Sequence, residues 1–220
     1  MPSQPVPASE SSGTDPAKRV LPSNPKAAAI VALAFTALLY LVELVDVVLP
    51  ADLDQGGIHA RDVSGLDGVL WAPVLHAGWG HLLSNTVPVL VFAFLAMAAG
   101  IGRWVLVTAI IWVLSGLGVW LIAPDDTVTV GASGVAFGWL AFLLVRGIFN
   151  RAVGQILVAV VLLGIWSGML WGLLPGDPGV SWQGHLFGAL SGVFAAWVVA
   201  RMDKSRAGKA PAGGPGSLAV

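Results

Sequence analysis

The sequence predicts an all-α, polytopic membrane protein built as a bundle of six transmembrane helices. Three observations carry that prediction. Six apolar segments, each near the ~20 residues a helix needs to cross hydrocarbon, follow one another along a chain of 220 residues. Apolar residues make up 56% of the chain and charged residues only 10%, well under the ~25% charged of ordinary soluble domains. Mean hydropathy is +0.84, more apolar surface than a soluble fold of this size can hide. Inside hydrocarbon each backbone polar group must be satisfied within its own segment, which makes these segments helices rather than strands of an open sheet.

The elements follow in order. Residues 1–26 are rich in Pro and Ser without apolar periodicity and read as a disordered cytoplasmic tail. The first apolar run, 27–49, is too long for a signal-peptide core and lacks a clear cleavage site, so it reads as a retained helix. The others are 79–99, 103–123, 131–149, 152–173 and 182–201. Residues 27–201 thus form one transmembrane domain, and 202–220 read as a second disordered cytoplasmic tail. The long connection 50–78 leads with Trp71 and His76 into Trp79, aromatic enough to lie partly in the membrane interface.

Charge sets the orientation and removes several function classes. With the N-terminus inside, the inner segments hold Lys18, Arg19, Lys26, Arg103, Arg146, Arg151, Arg201, Lys204, Arg206 and Lys209, and the outer ones hold only Arg61. Ten against one is the cation asymmetry of a multi-pass plasma-membrane protein with both termini in the cytoplasm. A net charge of −1 leaves no basic surface for nucleic acid. Zero cysteines exclude disulfides, thiol nucleophiles and thiolate metal sites.

Polar groups inside a membrane are costly, so each is a functional candidate. Three clusters stand out: His76-Ala-Gly-Trp-Gly-His81-Leu-Leu-Ser-Asn85 at the second segment, Gly131-Ala-Ser133-Gly134 at the fourth, and Gly184-His185-Leu-Phe-Gly188 at the sixth. At 1.5 Å per residue, Ser133 stands ~20 Å above Arg146, His185 ~24 Å above Arg201, and Asn85 ~21 Å above the end of its helix. A hydroxyl, an imidazole and an amide therefore reach one level near the outer surface. Small-residue stripes, Gly134, Gly138 and Ala141 on one helix and Gly184, Gly188 and Gly192 on another, would let the two backbones approach. If those faces meet, Ser133 and His185 stand as nucleophile and base. His81 and Asn85, four apart on one face, are candidate donors to an oxyanion together with the Ser133 N–H.

Ordinary structural roles compete with each assignment. A transmembrane serine often bonds back to a carbonyl one turn earlier, and a Gly-Ala-Ser-Gly run commonly serves helix packing. His76 and His81, five apart, do not share a helical face, so His76 reads as a loop residue donating a structural hydrogen bond. Glu43 and Asp46 read as interfacial or structural, and the tryptophans mostly as belt and packing residues.

Taken together, the three motifs resemble the rhomboid family of intramembrane serine proteases, in its bacterial six-helix form. The likeness spans about 27–201 and rests on His76-x4-His81-x3-Asn85, Gly131-x-Ser133-Gly134 and Gly184-His185-x2-Gly188. It implies a Ser133–His185 dyad without an acid and an oxyanion site drawing on His81 and Asn85. His76, Gly131, Gly134, Gly184 and Gly188 have supporting roles, and Phe137 stands where the family places an aromatic ring against the histidine. It implies no cofactor and no metal; the partners are transmembrane protein substrates and the lipid bilayer. One departure concerns a Trp-Arg pair many members carry in the first outer loop, since Asp67 and Gly68 occupy those positions.

The rival reading is a catalytically inactive rhomboid-like protein that binds and escorts membrane clients, a class marked by loss of the serine or histidine. A metalloprotease would need His-Glu-x-x-His, which His76 and His81 do not supply. A transporter would show internal repeats or charges near the midplane, and segments two to six carry none at depth.

Overall fold

The computed structural model describes residues 15–49, 52–177 and 179–207. Six helices in it are long and apolar enough to cross a membrane. Their α-helical parts are α1 (Pro25–Val48), α2 (Trp79–Ala96), α3 (Ile101–Ile122), α4 (Ser133–Asn150), α5 (Val153–Trp166) and α6 (Trp182–Ala207), the second span continuing to Ala99 and the fifth to Leu173. Local chemistry sets several of these ends. Asn24 caps α1, its side chain accepting from the Ala27 N–H at 3.0 Å, and Pro25 fills the first turn, where no N–H is required. Beyond α2 a 3₁₀ turn, Met97–Ala99, leads to Gly100, and α5 runs on as a 3₁₀ segment, Ser167–Leu173.

α4 is the most enclosed helix and α5 the least. α4 packs along α6, with α2, α3 and α5 also against it. The two glycine stripes supply the α4–α6 contact. A Cβ at Gly188 would run into the Gly134 carbonyl, and one at Gly192 into the Gly138 carbonyl. Each backbone therefore sits where its neighbour's side chains would otherwise be. The core is centred on Trp139 of α4, fully buried, stacked on Trp104 and donating to Thr108 Oγ1 at 3.0 Å. Val153, Leu157, Val160, Val161 and Ile165 of α5 are exposed, as lipid-facing side chains are in a fold with no hydrophobic drive between helices.

The connection between α1 and α2 is structured in its described residues. β1 (Ile58–His59) pairs antiparallel with β2 (Val128–Thr129), tying this connection to the one between α3 and α4. Trp120 donates to the Asp62 carbonyl at 2.8 Å, and Arg61 pairs with Asp125. At the positions of the absent Trp-Arg pair, Asp67 precedes a single helical turn, Gly68–Trp71. A Cβ at Gly68 would collide with the Gly57 carbonyl, so here the loop packs backbone on backbone. Trp71 and Trp79 are exposed.

Two expectations are corrected. The tail assigned to 1–26 is ordered in its described part: residues 16–18 form a 3₁₀ turn, and the carbonyls of Ala17 and Arg19 are clasped by side chains from the end of α4 and the start of α5. Ala17 O accepts from Asn150 Nδ2 at 2.9 Å and from Gln155 Nε2 at 2.8 Å, and Arg19 O accepts from Gln155 and Arg146. Residues 1–14 lie outside the described residues. At the other end α6 continues through 202–207, covering the start of the second expected tail; residues 208–220 also lie outside the described residues. Arg146, read at the inner boundary of the fourth segment, lies in the last turns of α4 and is buried at 5% exposure. Glu43 is likewise buried, at 2%, while Asp46 accepts from the Leu53 N–H at 2.6 Å.

Candidate active site

Ser133 is the first residue of α4. The peptide N–H groups of a helix's first turn have no intrahelical acceptor and present partial positive charge outward. The chain reaches that helix through Gly131, at φ +118°, a conformation that L side chains rarely adopt. A Cβ there would also stand 2.6 Å from the His81 ring. Gly131 thus lets the α3–α4 connection lie directly against α2. Its own N–H donates to the Ala72 carbonyl at 2.8 Å, fixing the approach to Ser133.

His185 lies in the first turn of α6, and the glycine contact brings it to Ser133. Ser133 Oγ and His185 Nε2 are 2.9 Å apart. His185 Nδ1 lies 2.9 Å from the Gly172 carbonyl, which requires Nδ1 to carry the proton and leaves Nε2 as an acceptor for the serine O–H. Phe137 stacks on the imidazole at 4.1 Å with the planes 11° apart. Ser115 Oγ donates to the Gly184 carbonyl at 3.0 Å, and the Gly184 N–H donates to Ser181 Oγ at 3.2 Å, anchoring the start of α6.

His81, Asn85, Ser133 and His185 line one cavity of about 550 Å³. Its walls continue to loop residues Pro124, Thr127 and Asp177. Asn85 Nδ2 donates to the His81 carbonyl at 3.1 Å, an i, i+4 bond that aligns its side chain along α2. The serine hydroxyl, imidazole and amide read from three separate segments therefore share one cavity wall. His76 does not reach it. His76 lies in the turn before α2, buried, and its Nε2 accepts from the Ala132 N–H at 3.4 Å. The expected structural donor is thus an acceptor at that atom. Burial, and next the adjacent His81, lowers the His76 pKa to about 4, which keeps the ring neutral and able to accept. Its ring also meets His81 edge to face at 5.2 Å, a contact available because His76 is off the helix.

Sequence reasoning passed over Gly172, Ser115 and Ser181. Ser115 carried a signal, a hydroxyl inside an apolar helix; Gly172 acts through a backbone atom and carried none of its own.

A model of the rhomboid domain matches residues 66–202, three-fifths of the chain and all the residues above. The chain belongs to the rhomboid family. This rhomboid is 50% identical over 182 residues to an uncharacterized protein of Mycobacterium tuberculosis, covering 78% of this chain and 75% of that one. It is 29% identical over 135 residues to YdcA of Bacillus subtilis, which carries the provisional name of a rhomboid protease (60% and 67% covered). A chloroplast rhomboid-like protein of Arabidopsis thaliana is 28% identical over 158 residues, with 61% and 52% covered. Family, helical count and multi-pass membrane character of this rhomboid therefore agree.

Proposed function

We propose that this rhomboid is an intramembrane serine endopeptidase with Ser133 as nucleophile and His185 as general base. The observation that carries the reading is the 2.9 Å separation of Ser133 Oγ and His185 Nε2 at the wall of a cavity large enough for a peptide segment. Serine attacks a carbonyl once a neighbouring imidazole takes its proton, and the same imidazole then protonates the departing amine. The negative charge of the tetrahedral intermediate meets the Ser133 N–H, with Asn85 and His81 as further donors. Water entering the cavity completes deacylation.

The substrate class follows from where these groups stand. A carbonyl inside an intact helix is hydrogen-bonded and sheathed by side chains, so a transmembrane substrate must unwind locally before attack. Gly lowers the cost of that unwinding by ~1 kcal/mol and Pro by ~3 kcal/mol relative to Ala. Cleavage is expected near the outer end of a single-span substrate, at a small residue beside such a helix breaker. The Lys and Arg asymmetry supports a plasma-membrane topology with both termini in the cytoplasm. Because the chain lacks cysteine, single cysteines placed at 125 and 206 report it: an impermeant maleimide applied to whole cells should label only the first.

The deciding experiment is a fluorophosphonate probe applied in detergent, with the modified residue read by mass spectrometry, beside cleavage of a model single-span substrate. Label on Ser133, and loss of cleavage in folded Ser133→Ala and His185→Ala, is the expected result. Turnover by well-folded Ser133→Ala refutes the proposal, and a folded wild type that takes neither label nor substrate points to the escort role.

A further inference from the structure

We infer that Gly172 and Pro175 act together as a positioning pair that holds His185 in the tautomer the proposed dyad requires, an inference that rests on that reading of Ser133 and His185. In the 3₁₀ segment Ser167–Leu173 each carbonyl takes an N–H three residues on. Leu174 N–H closes onto the Trp171 carbonyl at 3.1 Å. The next rung would run from residue 175 to the Gly172 carbonyl; residue 175 is proline, with no N–H to give, and Leu174 ahead of it leaves the 3₁₀ spiral for extended backbone at φ −105°, ψ 145°. The ladder stops one bond early, and the carbonyl left over is the one that accepts from His185 Nδ1 at 2.9 Å.

Glycine at 172 supplies the space. A Cβ there would lie 2.9 Å from His185 Nδ1 and 3.3 Å from Phe137 Cζ, so a side chain would push the imidazole off both its acceptor and its stacking partner. The carbonyl holds the ring by its edge and Phe137 by its face. In soluble serine proteases a buried carboxylate orients the histidine. A neutral carbonyl selects the same tautomer without the cost of an ion in a low-dielectric interior. Gly172-x-x-Pro175 thereby replaces the missing acid with a carbonyl that the backbone cannot otherwise use.

Three variants test this, each followed by kcat, KM and ¹⁵N NMR of labelled histidine in detergent, the His185 signal identified by its loss in His185→Ala. Wild type should show a neutral His185 protonated at Nδ1. Pro175→Ala restores an N–H and frees Leu174 to continue the spiral, so that this N–H competes for the Gly172 carbonyl; kcat should fall about two- to tenfold, the equivalent of one neutral hydrogen bond, with KM little changed and a mixed tautomer signal. Replacing Leu173 by its α-hydroxy analogue makes the Gly172 carbonyl an ester, a weaker acceptor of the same bulk, and should act in the same direction. Gly172→Ala displaces the ring and should lower kcat by about 10²-fold; if it fails to fold, the other two decide. Wild-type kcat and tautomer in Pro175→Ala and in the ester, or a loss confined to KM, would overturn the inference. The tautomer signal needs no substrate, so it stays readable even if the protease reading fails.

Discussion

Asn85 is the side chain whose role the geometry narrows most. One of its amide protons is held by the His81 carbonyl, leaving the other for the cavity. Removing one oxyanion donor costs ~10²–10³ in kcat in a soluble serine protease. Water in an open cavity substitutes in part, so Asn85→Ala is expected to lose about tenfold in kcat with little change in KM; an unchanged kcat in both Asn85→Ala and Asn85→Asp removes the assignment. His76 contributes through neutrality instead. The unfolded chain takes up its proton near pH 6.5 and the folded chain only near 4, so stability falls as pH drops across that window. Asp54 opposes this. Burial, then the Asp46 and Asp52 carboxylates, raises its pKa to about 6, so the folded chain binds that proton first and gains stability as pH falls through 6. Melting in detergent between pH 7 and 5 should therefore steepen in Asp54→Asn and flatten in His76→Gln. Parallel profiles for parent and both variants would remove these two groups as the cause.

At the scale of elements, the α4–α6 contact decides whether Ser133 and His185 meet at all. Gly188 and Gly192 face carbonyls of Gly134 and Gly138 with no room for a methyl group. Gly188→Ala must push the helices apart or strain them, at about 1–3 kcal/mol for an overpacked contact. Because the same shift separates Oγ from Nε2, the loss of kcat should exceed what the lowered Tm explains. Gly164 on α5 is the internal control, since a Cβ there meets nothing within 4 Å. Gly164→Ala should keep both Tm and kcat at or slightly above the parent values. Equal behaviour of the two variants would mean that the stripe is not what sets the spacing.

At the scale of the molecule, the segment before α1 belongs to the fold. Gln155, at 2% exposure, and buried Arg146 both spend side-chain N–H groups on carbonyls of residues 17 and 19. Deleting residues 1–20 leaves those donors without acceptors, and each unsatisfied buried group costs ~1–3 kcal/mol, more when charged. The truncated chain is expected to melt well below the full chain in detergent. Pairing the deletion with Arg146→Met and Gln155→Leu should recover much of the loss, because apolar replacement of both buried groups removes the penalty. A truncated chain that melts with the parent would show the clasp to be dispensable.

Six spans, their order and the membrane setting were determined by the sequence alone, because the length and hydropathy of each segment are local properties and hydrocarbon leaves a helix no alternative. The candidate polar residues were legible for the same reason: Ser133, His185, His81 and Asn85 are conspicuous in apolar surroundings wherever the helices go. Which face of α4 meets which face of α6 is not local, and only packing brought Ser133 Oγ to 2.9 Å from His185 Nε2. Packing also recruited the backbone. The Gly172 carbonyl, the clasped carbonyls of Ala17 and Arg19 and the Ala132 N–H held by His76 carry no side-chain signature. Tails with polar composition read as disordered because their few apolar residues cannot offset the entropy of ordering, yet residues 15–20 are ordered by donors that lie more than 120 residues away in sequence. Side-chain chemistry can be read along the chain, but a backbone hydrogen bond between distant segments exists only once the helices have packed.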